Sequence, residues 1–249
     1  MNATIETILN HKSIRKFKEK KLTDQQIETL VKSAQAASTS SYIQAYSIIG
    51  VKDEQKKEQL AEIAGGQSYV ANNGHFFVFC ADLYRHEKIG EWESGDVIPS
   101  IESTEKFMVA LIDAALAAQN AAVAAESMGL GICYIGGIRN DLYAVSELLN
   151  LPERVVPLFG LAVGYPDKET DVKPRLPYRH VYHEDSYQSQ EVEMKKELDE
   201  YNEIVSSYYK ERTNGKRSDS WTGQMAKMLT NRHRMYMKEF VEGKGFNKR

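Results

Sequence analysis

Glu105-Lys106-Phe107-Met108-Val109-Ala110-Leu111-Ile112-Asp113-Ala114-Ala115-Leu116-Ala117-Ala118-Gln119-Asn120-Ala121-Ala122-Val123-Ala124-Ala125-Glu126-Ser127-Met128 is the stretch on which the fold turns. It is free of Pro and Gly, too long for a strand, and small and apolar nearly all round from Ala114 to Ala125. Such a helix is buried on most faces or packs closely against another helix. A second copy of the chain is one candidate for that neighbour; the central helix of a monomer reads the same way. Immediately downstream, Gly129-Leu130-Gly131 ends the helix, and Ile132 to Ile135 is strand-like before Gly136-Gly137.

Working outward, Phe76-Phe77-Val78-Phe79-Cys80-Ala81 and Val155 to Val163 are apolar runs of the kind that form buried strands. Ala45 to Val51 is also strand-like. Helices are expected over Ile5 to Asn10, from the capping box Thr23-Asp24-Gln25-Gln26 to near Ala37, over Glu54 to Ala64, and over Asp141 to Leu149. Glu87 to Ser103 reads as a polar, mobile segment. Asp167 to Ser186 reads as an extended arm, followed by two polar helices, Glu191 to Lys210 and Trp221 to Glu242. The expected organisation is an α+β core over residues 1–165 and an arm with helices over 166–249, which lies on the core or on a partner subunit.

The whole chain narrows the function classes. Its 249 residues are 42% hydrophobic with a net charge of −3, which gives no general nucleic-acid footprint. No run of uninterrupted apolar residues reaches membrane-spanning length, and no signal peptide is evident. Cys80 and Cys133 sit in apolar runs and read as buried free thiols, which fits a reducing cytoplasm. There is no P-loop, H-E-x-x-H or G-x-S-x-G. The pair Gly129 and Gly131 fails as a dinucleotide fingerprint, because Tyr134 takes the third Gly position and the order is helix to strand. His183-Glu184-Asp185 reads as an exposed polar turn, so no metal is expected.

Anion chemistry is the positive signal. His11-Lys12-Ser13-Ile14-Arg15 and Lys173-Pro174-Arg175-Leu176-Pro177 each combine closely spaced cations with a constrained backbone, which is how a phosphate is cradled. Tyr134-Ile135-Gly136-Gly137 ends a buried strand in two glycines, so a flat heterocycle can approach the backbone. Arg212-Thr213-Asn214-Gly215-Lys216-Arg217 places cations round an Asn-Gly turn between helices, a second anion clamp suited to a nicotinamide dinucleotide phosphate.

Taken in order, these segments resemble a known family. His11 to Arg15, the hydroxyl loop Ser38-Thr39-Ser40-Ser41-Tyr42-Ile43-Gln44, Gly65-Gly66-Gln67, Ala125 to Gly131, Tyr134 to Arg139, Leu158-Phe159-Gly160 and Lys173 to Pro177 are similar to the motifs of the FMN-dependent nitroreductases, NADPH-preferring branch. The resemblance implies a mostly antiparallel central sheet flanked by helices, and an intertwined homodimer with FMN at the subunit interface. It places His11, Lys12, Lys173 and Arg175 around the FMN phosphate, and Ser13 and Arg15 at the ribityl chain and the N1/O2 edge. It sets Gln67 at the N3/O4 edge, and Ser38, Thr39 and Ser40 near the phosphate or ribityl region. Tyr134, Ile135, Gly136 and Gly137 would lie beneath the ring, with the Gly136 amide near N5. Arg212 and Arg217 would take the NADPH 2′-phosphate, while Ser41, Tyr42 and Tyr209 would line the substrate face. Lys12 stands where Arg is usual, and Thr39 where Ser is usual.

The implied activity is ping-pong: hydride from NADPH to FMN N5, then two electrons to free flavin, a nitroaromatic or a quinone. No catalytic side chain is then required, because the cofactor carries the chemistry. Two alternatives stand beside it: an NADPH oxidase making hydrogen peroxide, and a non-catalytic flavin-binding module.

Overall fold

The computed structural model describes residues 1–168 and 170–249; Glu169, within the expected arm, lies outside the described residues. The elements in chain order are α1 (Ala3–Leu9), α2 (Asp24–Gln35), β1 (Tyr46–Val51), α3 (Glu54–Ile63), α4 (Ser68–Ala71), β2 (His75–Asp82), α5 (Tyr84–Trp92), α6 (Ile98–Ile101), α7 (Thr104–Ser127), β3 (Gly131–Ile135), α8 (Leu142–Leu148), β4 (Val155–Gly164), α9 (Glu191–Arg212), α10 (Trp221–Thr230) and α11 (Met237–Gly243). They form two compact units. The first comprises Met1–Thr170 with Arg234–Arg249, and the second Asp171–His233.

The first unit is built on one antiparallel sheet of strand order β1-β2-β4-β3. All eight residues of β2 are buried, as its unbroken apolar run predicts. Alternation splits them between two layers: Phe77, Phe79 and Ala81 face the cluster around α7, while Phe76, Val78 and Cys80 join Leu60, Val70 and Ile138 on the other side. Pro157 is tolerated in the central strand β4 because the register shifts opposite it, between Phe79 and Cys80.

α7 is more one-sided than its sequence suggests. Ala110, Ala114, Ala117, Ala118, Ala121 and Ala125 are buried, but Met108, Ile112 and Leu116 are 54%, 50% and 44% exposed. The alanines let the helix approach the sheet closely, and the larger residues form an apolar stripe on its outer side. By length and composition α7 is the one described helix able to cross a membrane; here its alanine face belongs to the core.

Two expectations change. Glu87 to Ser103 is ordered structure: α5, α6 and the cap of α7 occupy most of it. Arg154 ties it down by pairing with Glu87 (3.3 Å) and Glu102 (3.3 Å). The expected helix Trp221 to Glu242 is two helices, α10 and α11, broken where Asn231 turns extended and Arg234 adopts a φ of 57°. Arg234 there donates to Asn140 Oδ1 at 2.9 Å. The residues after the break pack with the first unit; Phe240, Val241 and Phe246 join its core.

The second unit has its own small cluster of Tyr201, Val205 and Tyr209 from α9, with Leu176, Tyr208 and Trp221 against it. The arm segment 173–177 is anchored there by the Tyr201 hydroxyl, which donates to Pro174 O at 3.1 Å.

Candidate active site

The N-terminal basic cluster is fixed by the edge strand β3. Ile14 N donates to Ile132 O at 2.8 Å, and Ser13 bridges Ile132 in parallel. Ile14 is buried under Gly131, where a Cβ would come within 2.5 Å of it. The buried isoleucine therefore holds its neighbours: Ser13 and Arg15 flank it, and Arg15 is exposed.

Several predicted residues meet at this point. Cys133 is hydrogen-bonded by Ser13 and lies near Arg15; burial raises its thiol pKa, and those two groups oppose the rise. Arg15 also hydrogen-bonds Tyr69. The Tyr69 hydroxyl in turn donates to Gln67 Oε1 at 2.7 Å. Burial raises the Tyr69 pKa, the Cys133 thiol adds to it, and Arg15 opposes both. So Ser13, Arg15 and Gln67 are linked through Cys133 and through Tyr69, which sequence reasoning missed. Its position two residues after Gln67, in α4 directly after the turn at Gly65 and Gly66, is the signal that could have found it. Both glycines have positive φ, 85° and 75°.

His11 and Lys12 sit slightly apart. His11 Nδ1–H donates to the Glu126 carboxylate at 2.7 Å. Lys12, Glu126, Gly129 and Gly131 line one cavity of about 450 Å³. The cradle is thus not purely cationic: a carboxylate from the last turn of α7 orients the imidazole.

Tyr134 to Gly137 runs from the end of β3 into a 3-10 turn. Ile135 is buried, Tyr134 is 37% exposed, and its ring meets Phe159 edge-on at 5.6 Å. Burial of its hydroxyl, with the Glu126 charge, pushes the Tyr134 pKa up. Gly136 remains half-buried. Gly137 is packed so tightly that a Cβ would lie 2.7 Å from Ala64 O. Two glycines therefore serve two ends, one leaving backbone accessible and the other closing the layer beneath it.

The hydroxyl loop is held elsewhere. Asp113, fully buried in α7, accepts from Ser40 N and Ala45 N, both at 3.0 Å. Ser41, Tyr42 and Gln44 all have positive φ, so these two bonds hold a backbone that would otherwise relax. Tyr42 is 83% exposed; Ser38 and Ser40 are exposed and Thr39 half-buried. Asp113 lies between three and four turns along α7 from Glu126, roughly 20 Å at the rise of an α-helix. Within one chain, the loop anchored at Asp113 is therefore separated from the His11 cluster anchored at Glu126.

The second unit gathers the remaining cations. Lys173 and Arg217 both lie over the Tyr209 ring, at 5.6 Å and 4.4 Å from its centroid. Burial alone would raise the Tyr209 pKa, but Lys173 and Arg217 outweigh it and bring it down. Arg217 also pairs with Asp219 at 2.7 Å, and Arg212 donates to the Tyr208 hydroxyl at 2.8 Å. Arg175 is exposed. Tyr209 is only 7% exposed, so it is the platform under two cations rather than an open stacking face. No group of metal-ligating side chains occurs among the described residues.

Comparison with known proteins identifies the family. Residues 8–165 match the Nitroreductase family, and residues 173–249 match the Nitroreductase family, C-terminal domain. The chain is 57% identical to an FMN reductase (NADPH) of Bacillus subtilis, over 100% of both chains. It is 48% identical to an NADPH-dependent oxidoreductase of Staphylococcus haemolyticus, over 96% of both. Among solved structures it is similar to NfrA1 of B. megaterium, with a TM-score of 0.98, 66% identity, and 99% and 100% of the two chains covered. It is also similar to NADPH:FMN oxidoreductase from Vibrio harveyi complexed with NAD⁺, with a TM-score of 0.90, 40% identity and full coverage of both chains. Sheet order, motif spacing and full-length identity lead to one conclusion: the chain belongs to the nitroreductase family.

Proposed function

We propose that the protein is an NADPH-dependent FMN oxidoreductase that works as a homodimer in a reducing, cytoplasmic setting. The observation that carries this reading is the convergence of Ser13, Arg15, Gln67 and Tyr69 at the end of β3, beside the half-buried Gly136. That donor set fits a flavin. Arg15 and Ser13 offer positive charge and a hydroxyl, the Gln67 amide matches the donor–acceptor edge of the ring, and Lys12 with His11 offers charge to a phosphate. Glycine at 136 and 137 lets the strand end pack closely on Arg139 and Ala64, where a Cβ would collide at 2.9 Å and 2.7 Å.

When bound, the flavin supplies the redox chemistry, taking hydride from NADPH and passing two electrons to a second substrate in ping-pong fashion. The chain's own residues bind and orient. Arg15 offsets negative charge at the ring edge. Tyr69 fixes Gln67 through its 2.7 Å hydrogen bond, and Glu126 fixes the His11 imidazole. Arg212 and Arg217, exposed at the end of α9 and in the loop after it, take the 2′-phosphate of NADPH. An open face with few fixed polar contacts makes the acceptor range broad, including free flavin, nitroaromatics and quinones.

The homodimer rests on two features. The hydroxyl loop and the His11 cluster are separated along α7 in one chain, so a second copy is needed to bring Ser38, Thr39 and Ser40 of one protomer to the cradle of the other. The apolar stripe Met108, Ile112 and Leu116 gives α7 a face for that second copy to cover.

The test is an anaerobic titration. The purified protein is expected to show visible flavin absorbance that one equivalent of NADPH bleaches, and added acceptor restores. Absence of bound flavin after reconstitution with FMN would overturn the reading. Arg212→Ala with Arg217→Ala should raise KM for NADPH at least about tenfold while leaving flavin content unchanged.

A further inference from the structure

The two arginines of the second unit's clamp are each held by a tyrosine that precedes them in the chain. Arg212 closes α9, and Tyr208 lies one helical turn before it on the same face. Arg212 donates from Nη1 to the Tyr208 hydroxyl at 2.8 Å, and its guanidinium lies 5.8 Å from that ring's centroid. Arg217 comes after the helix, and a turn carries it back. Asn214 and Gly215 have positive φ, 49° and 79°, and Gly215 N donates to Lys210 O at 2.8 Å. Thr213 Oγ1 donates to Tyr209 O at 2.6 Å and accepts from Arg217 N at 2.9 Å. The backbone of Arg217 is thereby hung on the carbonyl of Tyr209, and its guanidinium lies 4.4 Å from the Tyr209 centroid.

The cations are open to solvent while the rings that hold them are fixed. Arg212 and Arg217 are exposed. Tyr209 is buried with Tyr201 and Val205. Tyr208 is half-buried and meets the Tyr209 ring edge-on, with centroids 5.4 Å apart. An unrestrained arginine loses rotamer freedom when it grips a phosphate. Here part of that ordering is complete before a ligand arrives. The Nε of Arg217 is also committed, to Asp219 at 2.7 Å, so its terminal amino groups are the ones left for a phosphate.

We propose that Tyr208 and Tyr209 are positioning residues that set the preference for a 2′-phosphorylated nucleotide over its unphosphorylated counterpart, a role that depends on Arg212 and Arg217 being the 2′-phosphate clamp. Neither ring needs to touch the nucleotide. Tyr208 acts by accepting from Arg212, and Tyr209 by placing a π-face under Arg217. A nucleotide without the 2′-phosphate makes no use of the two guanidinium groups, so it gains nothing from their being held. Lys173 lies over the same Tyr209 ring at 5.6 Å. Changing Tyr209 therefore releases two cations and changing Tyr208 only one, which makes Tyr209 the larger of the two effects.

The test is calorimetry on the oxidised, flavin-loaded protein, with adenosine 2′,5′-bisphosphate and 5′-AMP as probes. The unaltered protein should bind the bisphosphate at least about tenfold more tightly than 5′-AMP. Tyr208→Phe should lower bisphosphate affinity about threefold and Tyr209→Leu about fivefold, with 5′-AMP affinity unchanged. In an Arg212→Ala background, Tyr208→Phe should change nothing further, because its route to the nucleotide is gone. Tyr208→Phe keeps its ring, so the test stays open if Tyr209→Leu loosens α9. Equal losses for the two nucleotides would assign the tyrosines to packing, and an undiminished loss in the Arg212→Ala background would mean that Tyr208 does not act through Arg212; either result overturns the proposal. A preference that disappears in Arg212→Ala with Arg217→Ala but survives in both tyrosine variants would overturn the proposal alone. An unaltered protein that prefers neither nucleotide would overturn the clamp and the proposal together.

Discussion

The two units are stabilised by different physics. The first has a sheet buried on both sides and two apolar clusters that run through most of its elements. Its polar groups matter because they are buried: Asp113 is 0% exposed, and Arg154 is 8% exposed between two carboxylates. Among its described residues the second has a cluster of three buried apolar or aromatic side chains, and much of its remaining cohesion is charge over aromatic rings and ion pairs at the surface. Burial makes single interactions in the first unit costly to lose. Solvation makes those in the second cheap and salt-sensitive.

The sharpest contrast is expected at Asp113. Asp113→Ala leaves two buried amides without an acceptor and should cost about 4 kcal/mol. Asp113→Asn, which keeps one acceptor oxygen, should cost roughly half. Urea unfolding measures both; a loss below about 1 kcal/mol for the alanine variant would break the contrast. Next comes acid. His75 has a folded pKa of about 4 against an ordinary value of 6.5. The unfolded chain therefore binds the extra proton between those values, and stability falls as pH drops through that window, by up to roughly 3 kcal/mol. The fall should shrink in His75→Gln, as urea midpoints at neutral and acid pH would report.

Smaller effects are expected from backbone packing. Gly137→Ala places a Cβ 2.7 Å from Ala64 O and should cost about 2 kcal/mol. Gly66→Ala meets nothing within 4 Å but keeps a φ of +75°, so about 1 kcal/mol is expected. Thermal melts of the pair separate crowding from strain. The smallest effect belongs to the second unit. Tyr209→Leu removes the ring beneath Lys173 and Arg217 and should raise amide exchange in α9 by a factor corresponding to about 1 kcal/mol. Tyr209→Phe should cost less, and moderate salt should narrow the gap between them. A salt-independent difference would mean that the ring acts by packing alone.

Legibility in the sequence follows the same division. β2 and β4 were readable because burial on both faces leaves an unbroken apolar run. The Thr23 capping box was readable because its two hydrogen bonds are local, and both are present. The ordering of Glu87 to Ser103 was not readable, because it depends on Arg154, far away in the chain. The break at Asn231 was missed because no Pro or Gly marks it; there the chain gains contacts of Arg234 and Tyr236 with residues 139–142. At the site, Ser13, Arg15 and Gln67 carry recognisable local motifs, whereas Tyr69 and Asp113 act through partners that only folding brings near. Tyr209 was read for its ring face without the two cations that cover it.

The strand order β1-β2-β4-β3 also bears on how the chain is made. β2 is complete once residue 82 has left the ribosome, but its partner on one side, β4, begins only at Val155. Throughout that interval Phe76 to Ala81 can pair only with β1, and its other edge and much of its apolar surface stay open. Pairings of such long sequence separation form slowly and are prone to aggregation while they wait. The nascent chain should therefore be a chaperone client until synthesis passes Gly164, and ribosome-bound chains truncated just before β4 should hold chaperone longer than chains that include it.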